Sequence, residues 1–196
     1  MIVMDTFVLI GGGPSLTKAD VDFVRHKARV IAINDAYRLA PWAEILYAAD
    51  RSWIDAHDGV PSFMGLKYSI DSKDPTTRSD WIVLRNTGLL GLELEPTGLR
   101  AGFNSGYQAV NLAVHCGAKK IILLGYDLGP SENREHWFED PPDRTLSPYA
   151  EMRTAFTSLL EPLTDLGISV VNCSRRSALA VFPSIPLSET LRERAA

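Results

Sequence analysis

The sequence predicts an α/β fold of the Rossmann-like, doubly wound kind: a mostly parallel sheet with helices on both faces and a lid segment. Three observations predict it. Short apolar runs such as Thr6–Ile10 and Lys119–Gly125 alternate with segments of helical spacing, the rhythm of strand–helix–strand units. The first run leads straight into Gly11-Gly12-Gly13-Pro14-Ser15-Leu16, a strand–loop–helix junction. Several later runs end on a polar residue, and open parallel sheets bind ligands beyond the carboxyl ends of their strands.

The elements follow in order. Thr6–Ile10 reads as the first strand, and Lys18 to Lys27 as a helix with Val21, Val24 and Arg25 at helical spacing. Arg29–Asn34 is a second buried strand and Glu44–Asp50 a third. Their polar ends place Asn34 and Asp50 in the same crevice as the glycine loop. Trp81–Arg85 is a further strand, whereas Asn86 to Gly98 has no clean period and suggests irregular structure or a short hairpin. Asn104-Ser105-Gly106 precedes a helix from Tyr107 to Cys116 with Gly117 as its stop. Lys119–Gly125 is read as a central parallel strand. Leu128 to Tyr149 carries four prolines and the run His136-Trp137-Phe138-Glu139-Asp140, too polar for core and too aromatic for a passive linker, so it is read as a lid. A long helix from Tyr149 to Leu166 should kink or divide at Pro162. Ile168–Asn172 closes the sheet, Ser174 to Ala180 forms another polar strand-to-helix junction, and a helical turn is expected near Ser188 to Arg194.

Composition bounds the function. The chain has 196 residues, 45% hydrophobic and 22% charged, which suits one globular domain over residues 1–196. A net charge of -4 argues against a general nucleic-acid binder, because holding many phosphates needs surplus Lys and Arg. Cys116 and Cys173 have no metal-ligand spacing, so a disulfide framework or zinc site is not suggested. The opening residues lack a basic leader, and no apolar stretch approaches the roughly 20 residues of a membrane span. A cytoplasmic setting is expected.

The chemistry concentrates in a few residues. Backbone N–H groups at a glycine-rich helix start can hold a phosphate, which makes Gly11, Gly12, Gly13, Pro14 and Ser15 a candidate nucleotide loop; the alternative is a tight turn with Pro14 in the first helical turn. The loop lacks the third glycine of the dinucleotide pattern and the lysine of a P-loop. Asn104, Ser105 and Gly106 either cap a helix or bind ligand. Asp127 follows a strand end, where it could meet a sugar hydroxyl or a metal, or serve an ordinary turn. His136 beside carboxylates could act as general base or acid. His26, His57 and His115 are read as structural, and no nucleophile elbow surrounds Ser15.

Taken together, Gly11 to Leu16 after the first strand, Asn34 after the second, Asn104-Ser105-Gly106, Gly125-Tyr126-Asp127 and His136 resemble the small bacterial sialyltransferases that use CMP-sialic acid. The opening motif and strand plan are also similar to the 6-hydroxymethylpterin diphosphokinase MptE-like family, which includes phage and bacterial proteins. The resemblance runs from Phe7 to about Phe182. The sialyltransferase likeness implies a nucleotide-sugar donor with no obligatory metal. Gly11, Gly13, Pro14 and Ser15 would form its phosphate loop, and Asn34 and Ser105 would touch the nucleotide. Asp127 would contact the ribose or donor sugar, and His136 would deprotonate the acceptor hydroxyl. The chain departs from that family in its shorter length, in Asp50 where an asparagine is usual, and in its lid sequence. The diphosphokinase likeness implies ATP with Mg²⁺ held among Asp50, Asp127, Glu139 and Asp140. A non-catalytic nucleotide-binding module is the third reading. Acceptor and oligomeric state are not specified by the sequence.

Overall fold

The computed structural model describes residues 3–73, 75–129, 134, 136–138 and 147–191. β1 (Val3–Ile10) runs through the glycine loop into α1 (Lys18–Val24), capped by the Thr17 side chain on the Asp20 amide. β2 (Ala28–Ile33) ends in a 3-10 turn, Asn34–Arg38. β3 (Ile45–Tyr47), α2 (Arg51–Ala56), β4 (Leu66–Ile70), β5 (Ile82–Asn86) and β6 (Gly98–Leu99) follow. α3 (Ser105–His115) leads to β7 (Lys120–Leu124); α4 (Tyr149–Thr157), α5 (Leu160–Asp165), β8 (Ser169–Asn172) and α6 (Leu187–Thr190) complete the chain.

The strands form one sheet in the order β6-β5-β4-β3-β2-β1-β7-β8, with parallel pairings throughout. Strand order reverses between β1 and β7, whose register runs from Thr6 opposite Lys120 to Ile10 opposite Leu124. A crevice opens at such a reversal because the connections leave in opposite directions.

Alternating side chains feed two cores. Phe7, Leu9, Ile31, Ile33, Ile121 and Leu123 pack on one face against Tyr107 and Val110 of α3, Phe156 of α4 and Leu163 of α5. Val8, Ile10, Val30, Ala32, Ile122 and Leu124 point to the other, against Val21 and Val24 of α1, Ile54 of α2 and Leu187 of α6. Both faces are covered, so the central strands read as continuous apolar runs.

Several elements differ from expectation. β4 was not expected: Leu66 and Tyr68 are interrupted by Lys67, whose buried ammonium donates to Gly59 O at 2.8 Å and to Asp80 at 2.7 Å. The Gly98 segment pairs parallel with β5 instead of forming a hairpin. β7 lies second from an edge, not at the centre, although Ile121 to Leu124 are fully enclosed. The long helix is divided, as the presence of Pro162 leads one to expect, with the break one turn earlier at Ser158–Leu159. Pro162 has no N–H for the Ser158 carbonyl, and the ring is accommodated in the first turn of α5, where amides need no helical partner. Ser174 to Ala180 is a loop, with the next helix delayed to Leu187.

Phe156 is fully enclosed and meets Tyr107, Tyr126 and Phe182 edge-on at 5.4 to 6.2 Å between ring centroids. Phe156→Ala should cost about 3–5 kcal/mol in urea unfolding; a loss under about 1 kcal/mol would mean the site collapses around the missing ring.

Candidate functional site

The glycine loop is an extension of the sheet. Gly11 N donates to Leu124 O and Gly13 N to Gly125 O, both at 2.8 Å, so the chain continues alongside β7 after β1 ends. Each glycine admits a different neighbour. A Cβ on Gly11 would sit 2.7 Å from Gly125 O, one on Gly13 2.5 Å from Asp127 Oδ1, and one on Gly12 3.0 Å from His136 Cδ2. Residues 136–138 touch the same place, where Trp137 N donates to Gly12 O at 3.0 Å and the His136 ring stacks on Phe138.

Asp127 locks the loop. Ser15 donates from its amide to Asp127 Oδ2 at 2.8 Å and from its hydroxyl to Oδ1 at 2.7 Å. Behind it, Ala178 N donates to Asp127 O, Ser177 Oγ to Tyr126 O and Tyr126 N to Ser174 Oγ. The loop after β8 therefore holds the end of β7 in place. Burial pushes the Asp127 carboxyl above its ordinary value, against the opposing pull of the Ser15 hydrogen bonds and the Arg176 charge.

α3 approaches from the side. Asn104 Oδ1 accepts from Tyr107 N at 2.9 Å, so this side chain caps the helix. Gly106 sits under Tyr126, whose hydroxyl donates to Gly106 O at 3.1 Å; a Cβ there would come within 2.9 Å of the ring.

At the β2 and β3 end, Asn34 adopts φ 49°, and its Oδ1 is buried with no hydrogen-bond partner among the described residues. Asp35 is buried and accepts from Trp53 Nε1 at 2.7 Å, with Arg38 Nη2 3.0 Å away. The His57 ring stacks on Trp53 at 4.1 Å.

These groups enclose one cavity of about 600 Å³ over the strand reversal. Gly11, Gly12, Gly13, Asn34 and Asp50 line it, as do Asn104, Ser105, Gly106, Asp127 and His136. Pro14 and Ser15 do not, and Glu139 and Asp140 lie outside the described residues. Asp35, Arg38 and Trp53 also line it, and sequence reasoning missed them; His57, read from the sequence as structural, lines it too. The available signal was Trp53 and His57 at i and i+4, one face of a short helix. Asp50 is exposed and does not cap α2 with its side chain. No group of three or more His, Cys, Asp or Glu suited to a metal occurs among the described residues.

No protein-family model matches the chain, and no curated protein does. Among solved structures, the sialyltransferase CstII from Campylobacter jejuni, in complex with the substrate analogue cytidine-5'-monophosphate, is similar at TM-score 0.57 and 13% identity. The match covers 98% of this chain and 88% of that one. A dehydrogenase/reductase from Sinorhizobium meliloti 1021 matches at TM-score 0.34 and 16% identity, over 98% of this chain and 80% of that one. The first likeness is one of fold, across nearly the whole chain.

The Asp127 carboxyl gives a test with a defined sign. Its raised folded value means that its favourable contribution is fully present below the ordinary value of 3.8 and is lost as pH rises through the raised value. Wild-type stability relative to Asp127→Asn should therefore increase between about pH 7 and about pH 4 in urea unfolding. A difference that shrinks on acidification would contradict this burial effect.

Proposed function

We propose that this protein is a transferase using a nucleotide-activated donor, most simply a glycosyltransferase of sialyltransferase-like type acting from a nucleotide-sugar. The observation that carries the reading is the cavity at the strand reversal, which gathers residues from Gly11 to His136 on four different strand ends and the segment at 136–138. The fold likeness to a sialyltransferase solved with cytidine-5'-monophosphate supports it.

In this reading the donor phosphate lies between the Gly12 amide and the first turn of α3, where unpaired N–H groups and the helix dipole favour an anion. Asn34 contributes its unpartnered amide oxygen to a donor group on the nucleotide. Asp127 positions the loop through Ser15 and presents its remaining lone pairs to the ribose or sugar. His136 takes the proton of the acceptor hydroxyl as that oxygen attacks the anomeric carbon and the nucleotide phosphate leaves.

A thermal-shift panel of CMP, CDP, UDP, GDP and ATP, with and without Mg²⁺, tests the donor. Stabilisation by a pyrimidine nucleotide is expected, worth about 2.7 kcal/mol at roughly 100 times Kd. Stabilisation by ATP only with Mg²⁺ would replace this reading with a diphosphokinase, and indifference to every nucleotide would end it. Once an acceptor is in hand, His136→Ala should lower turnover by about 10²–10⁴-fold while leaving nucleotide binding intact. Retained nucleotide binding with no transfer to any acceptor would leave a binding module.

A further inference from the structure

We infer that the β2 and β3 end of the cavity is an anion subsite, formed by Arg38 and positioned by His57, that takes a phosphate or carboxylate of the substrate. The inference rests on the nucleotide reading above and assigns residues that reading does not use.

Charge is the first argument. Arg38 is the one Lys or Arg among the described residues lining the cavity, whereas Asp35, Asp50 and Asp127 also line it. An anionic donor entering such a space needs a fixed cation. Arg38 is half exposed, while the Asp35 side chain it faces is 8% exposed. That carboxylate is already satisfied, with Trp53 Nε1 on Oδ2 at 2.7 Å and Arg38 Nη2 near Oδ1 at 3.0 Å. Nη2 also approaches His57 Nε2 at 3.3 Å. The Nη1 and Nε donors of Arg38 have no partner among the described residues, and a guanidinium offers a planar fork of donors matched to phosphate or carboxylate oxygens.

Rigidity is the second. The Trp53 carbonyl, 2.7 Å from His57 Nδ1, can only accept, so Nδ1 carries the proton and Nε2 faces Arg38, with Asp35 Oδ1 3.5 Å away. Trp53 stacks on the His57 ring, and Tyr37 meets both rings edge-on at 6.0 and 6.1 Å. The Arg38 head is therefore held by a stiff aromatic and acidic frame. The third argument is Asn34, in the same 3-10 turn, whose buried Oδ1 awaits a donor. Anion and adjacent hydroxyl or amine together are what a sugar acid or a nucleotide presents.

The test is titration calorimetry on wild type and Arg38→Gln with two pairs of probes. One pair is CMP against cytidine, or whichever nucleotide and nucleoside shift Tm most. The other is sialic acid against its methyl ester, added to nucleotide-saturated protein. In one pair Arg38→Gln should lower affinity for the charged member by about tenfold or more while leaving the neutral member unchanged; the responding pair identifies the group as phosphate or carboxylate. Because Arg38 also neutralises Asp35, the double variant Arg38→Gln with Asp35→Asn repeats the measurement in a charge-balanced fold. Wild-type ratios for both pairs in the variants would overturn the subsite alone. Wild-type protein that binds no nucleotide would overturn the nucleotide reading and the subsite with it.

Discussion

Two hydrogen bonds from Ser15 to the Asp127 carboxylate, at 2.8 and 2.7 Å, join the start of the first crossover to the end of β7. β1 and β7 are adjacent in the sheet, but their following segments leave in opposite directions, so the ladder holds the loop only as far as the Gly11 and Gly13 amides on Leu124 O and Gly125 O. Beyond them the buried carboxylate holds it. It is costly to bury a charge without partners, and here both oxygens are occupied while the backbone behind is held by Ser174, Ser177 and Ala178. The cavity floor is held in place because a buried acid is engaged through each side-chain oxygen and through its backbone carbonyl.

The same constraint explains the three glycines. Their need is close approach rather than unusual dihedrals: Gly11 against the Gly125 carbonyl, Gly13 against the Asp127 carboxylate, Gly12 against the His136 ring. Only a loop without side chains can lie flat on β7 from one side and receive His136 and Trp137 from the other. The loop therefore lies between β7 and residues 136–138, and a change at any of the three would disturb that packing.

The fold was legible because burial on both faces leaves a plain mark, and runs such as Lys120–Leu124 carry it. β4 was not legible, because its buried lysine reads as a surface residue until Gly59 O and Asp80 are seen beside it. Polar strand ends were sound guides to the cavity wall at Asn34, Asp50 and Asp127. Ser15 was read as part of the loop facing a ligand, but its hydroxyl and amide turn inward to Asp127, a partner 112 positions away. Arg38 and Trp53 escaped notice, and His57 was read as structural, because each is unremarkable locally. Their meaning comes from the buried Asp35, on which Trp53 and Arg38 converge.

That inward turn of Ser15 alters how the crevice can hold an anion. The amides of Gly11, Gly13, Ser15 and Leu16 are already donated to Leu124 O, Gly125 O, Asp127 and Gly13 O, and Pro14 has none. Gly12 is thus the one loop amide without an acceptor among the described residues. α1 begins only at Lys18 and Thr17 caps it, so its dipole does not open directly on the loop. A phosphate in this cavity would take most of its stabilisation from the flanks: the first turn of α3 on one side and the Arg38 guanidinium on the other. The glycine loop would then act as a floor between two anion-attracting poles, so that the spacing of negative groups along a substrate, and not the presence of one phosphate, would decide what fits.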